Sequence, residues 1–326
     1  MDYSRLYEEC RERIDARLAT LVEGREPASL YEPTAHILAG GGKRVRGALV
    51  MLACEAVGGD RDGALDAAAA VEILHNFTLV HDDIMDNAAT RRGRATVHTK
   101  WDVGTAILVG DVMIGLAQQL LVTSPTRECA RILDAFARGI VDVCEGQALD
   151  RAYETRVDVR PDEYERMIAM KTGRLLEMAA EIGALLGEGS EREIEALRAY
   201  ARNLGLAFQV QDDLLDLTAD EARLGKRIGG DVIEGKRTYL VVQGIAATLE
   251  PTDRDLLDRL LATPGLPAGE IAAVRTLFER SGIIDRARAA VVDYEERATA
   301  QLEALLPGPA RDALDRFARM LTARES

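Results

Sequence analysis

The chain of 326 residues carries 41 Lys and Arg against 55 Asp and Glu, a net charge of −14. That balance disfavours sequence-independent binding to nucleic acid. The length supports an ordinary hydrophobic core, and four cysteines (Cys10, Cys54, Cys129, Cys144) without CxxC or metal-like spacing argue against a disulfide scaffold or zinc site and for the reducing cytoplasm.

The opening MDYSRLYEECRERIDARL is polar and helix-like, which argues against a secretory signal. Breaks are expected at Gly24–Pro33, Gly58–Gly63, Asn87–Thr96, Ser124–Thr126, Arg156–Pro161, Gly187–Ser190, Leu224–Lys236, Thr263–Gly269 and Pro307–Pro309. Between them the chain is rich in Ala, Leu, Glu and Arg, the better helix formers. Apolar residues recur at three and four positions, as in Ile194, Leu197, Tyr200, Ala201 and Leu204. β-branched runs are scarce. The pattern predicts an all-α protein, one large helical bundle of ten or more helices spanning 1–326 as a single domain. The longest apolar run, Ala106 to Val122, contains Asp111 and is short for a membrane span.

Two strings carry the chemistry. LVHDDIMD (79–86) and QVQDDLLD (209–216) each hold a DDxxD motif in an apolar helical setting. With 27 aspartates in the chain, chance supplies only ~0.2 such strings. On a helix, Asp82 and Asp86 share one face ~6 Å apart along the axis, with Asp83 rotated ~100° away. Asp212, Asp213 and Asp216 repeat the arrangement. Like charges so placed repel and need something positive between them, either arginines or a divalent cation. Hard carboxylate oxygens suit Mg²⁺, shared with substrate phosphates, with Mn²⁺ as a substitute.

Of the 41 cations, 36 are Arg and five are Lys, and four of the lysines lie in basic clusters near the acidic strings. These clusters are Gly40–Arg46, Arg91–Arg94, Lys171–Thr172 and the glycine-rich 225–238 stretch. Glycines there let backbone N–H groups approach an anion. The charges can be summed. Six aspartates and three Mg²⁺ cancel, and Lys43, Arg46, Arg91, Arg92, Lys171, Lys226 and Lys236 nearly balance two diphosphates of about −3 each. The composition therefore suits a site for two diphosphate substrates.

GGKRVR (41–46), ILHNFTLVHDDIMD (73–86), RRG (91–93), GD (110–111), KTG (171–173), FQVQDDLLD (208–216) and GKRIGGDVIEGKRT (225–238) together resemble the trans-isoprenyl diphosphate synthases, in family order. The resemblance implies the isoprenoid synthase fold, a helical homodimer with a deep central cavity in each subunit. It implies condensation of isopentenyl diphosphate with an allylic diphosphate (dimethylallyl, geranyl or farnesyl). By position, Asp82 and Asp86 would hold two Mg²⁺ and Asp212 a third, with Asp83, Asp213 and Asp216 completing the acidic sets. Arg91, Lys171, Thr172, Gln209, Lys226 and Lys236 would address the allylic diphosphate. Lys43, Arg46, His75 and Arg92 would hold isopentenyl diphosphate. Asp82, Asp86, Asp212, Lys171, Thr172, Gln209 and Lys226 would serve the chemical step. The family's basic C-terminal end is only partly matched, by Arg324.

Product length follows pocket depth. Phe77 lies five residues before Asp82, ~7.5 Å along the helix, and Thr78, four before, is small. In the family that combination tends toward the C20 product, geranylgeranyl diphosphate, with farnesyl or longer products as alternatives. Rival chemistries are an HD-type phosphohydrolase built on His81–Asp82, a class I terpene cyclase sharing the first acidic motif, and a non-catalytic partner subunit. The first leaves the second DDxxD unexplained.

Overall fold

The computed structural model describes residues 3–124, 126–219, 229–262 and 265–323. The chain is all-α, as expected from its periodicity. Among the described residues the sole strands are β1 (Thr90–Arg91) and β2 (Arg94–Ala95), paired antiparallel with Arg91 opposite Arg94. Contacts divide the chain into two compact units. One comprises Met1–Ala137, Met178–Arg198 and Ala304–Leu314. The other comprises Arg138–Glu177, Ala199–Glu303 and Asp315–Ser326.

The first unit is built from α1 (Tyr3–Leu21), α2 (Ala28–Leu38), α3 (Val45–Ala56), α4 (Leu65–Met85), the one-turn α5 (Val97–Lys100), α6 (Val103–Val122) and the start of α7 (Cys129–Tyr153). Helix α4 is its axis and packs along α6, α3 and α1. Ala67–Ala70 are fully buried on it, and their small side chains let neighbouring helices approach closely. Leu49, Leu52, Ile73, Leu74 and Met113 fill the surrounding core, each worth about 1.5–3 kcal/mol of burial. Asp102 caps α6 by accepting from the Thr105 N–H at 2.8 Å. Among the described residues α6 alone is long and apolar enough to cross a bilayer. It instead lays one side on α4, with Ala106, Val109, Met113 and Leu116 buried.

The expected Gly24–Pro33 break is shorter than its glycine and prolines suggest. Helix α2 begins at Ala28, directly after Pro27, and Pro33 sits inside it. Proline φ is helical, but Pro33 removes one bond and its ring crowds the Ser29 carbonyl. Burial of Pro33, Thr34 and Leu38 on this helix offsets that cost.

The second unit contains most of α7, α8 (Pro161–Ile168), a π-helical turn (Ala169–Gly173), the first residues of α9 (Arg174–Leu186) and the longer part of α10 (Glu191–Thr218). It continues through α11 (Gly230–Glu234), α12 (Tyr239–Ala246), α13 (Pro251–Leu261), α14 (Ile271–Arg280) and α15 (Ile283–Gln301). Its core gathers Tyr164, Met167, Val210, Leu214, Leu240, Leu257 and Phe278. Glu163 accepts from the Arg160 N–H at 3.0 Å, and Pro161 occupies the first turn, which starts α8. Lys226 and Arg324 lie outside the described residues, as does the 225–228 part of the glycine-rich stretch.

Candidate active site

In the first unit, α4 is apolar nearly all round and ends at the first acidic string. Asp86 closes it, its N–H donating to the Asp82 carbonyl at 2.8 Å, so Asp82 and Asp86 stand one helical turn apart. Asp82 is half-buried and Asp86 exposed. Asp83 points elsewhere. It is 1% exposed and accepts from Arg91 Nε at 2.7 Å, while burial pushes its carboxyl upward against the pull of that guanidinium.

The β1–β2 hairpin turns on Arg92 and Gly93, both with positive φ, as a two-residue hairpin of primed type requires. Arg92 donates to the Gly41 carbonyl. Arg46, His75, Arg91 and Arg92 thereby come within electrostatic reach of one another. His75 is held well below its ordinary range by burial and by Arg46, Arg92, Arg91 and Arg44, so its ring is neutral. Burial lowers Arg46 and Arg92 as well. The Arg46 Nε and His75 Nδ1 atoms are buried without a hydrogen-bond partner. Guanidiniums crowded together with orphaned buried nitrogens fit a polyanion such as a diphosphate. Lys43 is exposed on the loop before α3.

Phe77 is buried one and a half turns before Asp82, its ring edge-on to His81 with centroids 4.6 Å apart. Thr78 donates to the His75 carbonyl at 2.8 Å. A Cβ on Gly110 would come within 2.2 Å of His81 Nε2. The glycine of the GD pair thus makes room for His81, a packing role.

In the second unit a cavity of about 170 Å³ gathers Asp150, Tyr164, Lys171, Thr172, Gln209, Asp212, Asp213, Asp231, Lys236 and Arg237. Lys171 and Thr172 project from the π-helical turn, an insertion that re-aims side chains and recurs at functional sites. Two glycines permit it. A Cβ on Gly146 would lie 2.4 Å from Lys171 N, and one on Gly205 2.5 Å from Gly173 Cα. Lys171 is ion-paired with Asp150. Thr172 Oγ1 donates to Gln209 Oε1 at 2.7 Å, and Gln209 Nε2 donates to Asp213 Oδ1 at 2.9 Å. Asp213 also accepts from the Tyr164 hydroxyl and from the Tyr239 N–H. Asp212 is exposed. Asp216 accepts from the Asp231 N–H at 3.1 Å.

Carboxylates crowd together in and beside this cavity. Burial and the neighbouring Asp231 raise Asp213 to about 7 and Asp216 to about 6, and burial raises Asp231 too. Lys236 pairs with Asp231 at 3.4 Å and Glu234 at 2.7 Å. Among the described residues no three His, Cys, Asp or Glu side chains already form a closed metal cage. The donors are hard carboxylates that repel one another, a set that fits Mg²⁺ completing its shell with water and phosphate oxygens.

A polyprenyl synthetase family model matches residues 27–276. The chain belongs to the polyprenyl synthetase family. It is 39% identical over its whole length to the short chain isoprenyl diphosphate synthase of Methanothermobacter thermautotrophicus, covering 98% of that protein. Its fold superposes on the geranylgeranyl pyrophosphate synthetase of Pyrococcus horikoshii with a TM-score of 0.92 at 37% identity, covering 99% and 98% of the two chains. It also matches the polyprenyl synthase of Caulobacter crescentus in complex with calcium and isoprenyl diphosphate, with a TM-score of 0.89 at 30% identity, covering 100% and 98%.

Five residues at these candidate sites carry no role in the sequence motifs. Asp150, Tyr164, Asp231 and Arg237 line the cavity, and Arg44 is buried beneath the Lys43 loop. Asp150 lies far from either acidic string and is one of several carboxylates in this stretch, with no motif to mark it. Tyr164 and Arg237 read as core and as one more basic turn residue.

Proposed function

We propose that this synthase joins isopentenyl diphosphate to allylic diphosphates and ends at geranylgeranyl diphosphate. The observation that carries the reading is the crowding of raised carboxylates Asp213, Asp216 and Asp231 beside Lys171 and Lys236, together with an arginine cluster around neutral His75. Carboxylates crowd favourably only around cations, and guanidiniums only around anions. A divalent metal with two diphosphates satisfies both.

Asp82, Asp86, Asp212 and Asp216 would hold the metal, about three Mg²⁺ per chain by the charge sum. When bound, Mg²⁺ supplies positive charge to the allylic diphosphate as its C–O bond ionises. Lys171 and Lys236 hold that leaving group, with Lys226 in the same role. Lys43, Arg46, His75 and Arg92 hold the diphosphate of isopentenyl diphosphate. The allylic C–O bond breaks with its electron pair on the departing diphosphate, and the isopentenyl double bond then attacks the cation. A proton leaves the adjacent carbon, and the departed diphosphate accepts it. Thr172 and Gln209, tied together at 2.7 Å, present oxygen dipoles beside the cation. Asp83 and Asp213 are best read as positioning groups, because Arg91 engages the first and Tyr164, Gln209 and the Tyr239 N–H engage the second.

Phe77 would form the floor that stops growth at C20. A cytoplasmic homodimer fits four cysteines that form no disulfide and the row of exposed apolar residues on α6, namely Val103, Ile107, Leu108 and Val122. The test is incubation of the purified protein with Mg²⁺, isopentenyl diphosphate and each allylic primer, with products identified by mass. Geranylgeranyl diphosphate is expected. Free alcohol, monophosphate or a cyclic hydrocarbon would indicate a phosphohydrolase or cyclase instead.

A further inference from the structure

Between α2 and α3 the chain makes a turn that an arginine should resist. Arg44 sits at φ 48° and ψ 38°, in the left-handed region, where an L-residue is strained by about 1–2 kcal/mol. Glycine or asparagine would fill such a position at lower cost. The side chain explains the choice. Its guanidinium is buried, with Nε donating to Asp15 Oδ1 on α1 at 2.7 Å and one terminal nitrogen donating to the Leu38 carbonyl at 2.8 Å. That carbonyl is the last of α2, an acceptor the helix cannot satisfy itself. The other terminal nitrogen lies 3.7 Å from Glu72 Oε2 on α4.

The backbone on either side is pinned as well. Tyr7 of α1 donates its hydroxyl to the Lys43 carbonyl. Glu72, 2% exposed, accepts from the Gly47 N–H at 2.9 Å through its other oxygen. Gly47 has no room for a side chain, since a Cβ would lie 2.9 Å from Glu72 Cγ and from Ile14 Cδ1. Three helices therefore clamp the segment from Lys43 to Gly47 from behind. Of its cations, Lys43 is exposed, and Arg46, half-buried, lies beside Arg92 and His75.

We propose that Arg44 is a positioning residue for the non-ionising substrate: anchored to Asp15, Leu38 and Glu72, it enforces the left-handed turn that presents Lys43 and Arg46 to the isopentenyl diphosphate headgroup. This rests on the function proposed above. It separates the basic GGKRVR string into two kinds of cation. Lys43 and Arg46 meet the substrate, while Arg44 faces inward and meets only protein. Tyr7, Asp15 and Glu72 share the positioning task, and the segment is preorganised before substrate arrives.

The test compares full-length wild type with Arg44→Gly, which tolerates the turn but deletes the anchor, and with Tyr7→Phe, which removes the bond to the Lys43 carbonyl and keeps the ring. A displacement near 1 Å weakens an oriented contact by up to about a hundredfold. The expected result is a KM for isopentenyl diphosphate raised at least about tenfold in Arg44→Gly and about threefold in Tyr7→Phe, with the allylic KM within about twofold of wild type. A merely structural role would shift both constants together or lower the folded fraction alone, and either result overturns the proposal. So does an unchanged isopentenyl KM in Tyr7→Phe, which decides the matter if Arg44→Gly does not fold. A wild-type chain that condenses no substrates sinks the function itself, whereas an active wild type without the split sinks only the role of Arg44.

Discussion

Replacing Gly146 by alanine sets two calculable effects against each other. In an unobstructed helix interior the change stabilises by about 0.8–1 kcal/mol, because alanine is the better helix former. Here the new Cβ would stand 2.4 Å from Lys171 N, 2.8 Å from Lys171 Cα and 2.9 Å from Met170 C. All three are backbone atoms, so no side chain can rotate aside. Restoring ordinary contact at 3.4 Å moves the π-helical turn by about 1 Å, and overpacking of this kind costs about 1–3 kcal/mol. The net is a destabilisation of roughly 0–2 kcal/mol, small for a chain of this size. The catalytic effect is larger, because the displaced backbone carries Lys171 and Thr172, and a misplacement of that size lowers rate by about a hundredfold. Steady-state kinetics with saturating substrates and thermal melting read the two effects separately. We expect kcat to fall by about two orders of magnitude while the melting temperature drops by only a few degrees. A variant with kcat within twofold of wild type would show that the close approach of α7 does not position these groups.

Phe77→Ala should lengthen the product beyond C20 by one or more five-carbon units, read by product mass; unchanged length would place the floor elsewhere. Asp82→Asn should lower kcat by at least about a hundredfold and raise the Mg²⁺ needed for half-maximal rate. Asp83→Asn, which loosens only Arg91, should leave the Mg²⁺ requirement within about twofold and raise the allylic KM. A parallel Mg²⁺ effect in both would make Asp83 a ligand after all. Asp213 predicts a pH signature in metal-free protein. Its folded pKa, about 7, lies above the ordinary 3.8, so the folded state holds its proton more tightly than the unfolded chain. The associated stability is present below pH 4 and is lost as pH rises toward 7, with a slope of at most ~1.4 kcal/mol per pH unit. Melting in EDTA should show Asp213→Asn gaining stability relative to wild type across pH 4–7, and parallel curves for the two proteins would refute the raised value.

The helical class was legible because periodicity and propensity agree along α6 and α10, where buried residues recur on a helical repeat. The acidic strings were legible because two DDxxD motifs in apolar settings are rare by chance. What separated Asp82 from Asp83 in sequence was only a 100° rotation, and the structure adds the reason for their difference: Arg91 folds back through a hairpin to take Asp83. The π-helical turn had no sequence signature. It depends on Gly146 and Gly205, on two other helices, and tertiary contacts of that kind leave no local pattern. The inward orientation of Arg44 was equally hidden, since a basic string reads alike whether its members face substrate or protein. Pro33 misled in the opposite direction, because a strong local breaker was overridden by burial.

The acidic strings are expected to take up Mg²⁺ together with a diphosphate. Calorimetric titration of Mg²⁺ into the wild-type protein, with and without a non-ionisable allylic diphosphate analogue, tests it most directly. The expected result is weak uptake of Mg²⁺ alone, about three ions per chain with the analogue present, and loss of analogue binding in EDTA. Analogue binding that is equally tight in EDTA, or Mg²⁺ uptake indifferent to the analogue, would contradict it.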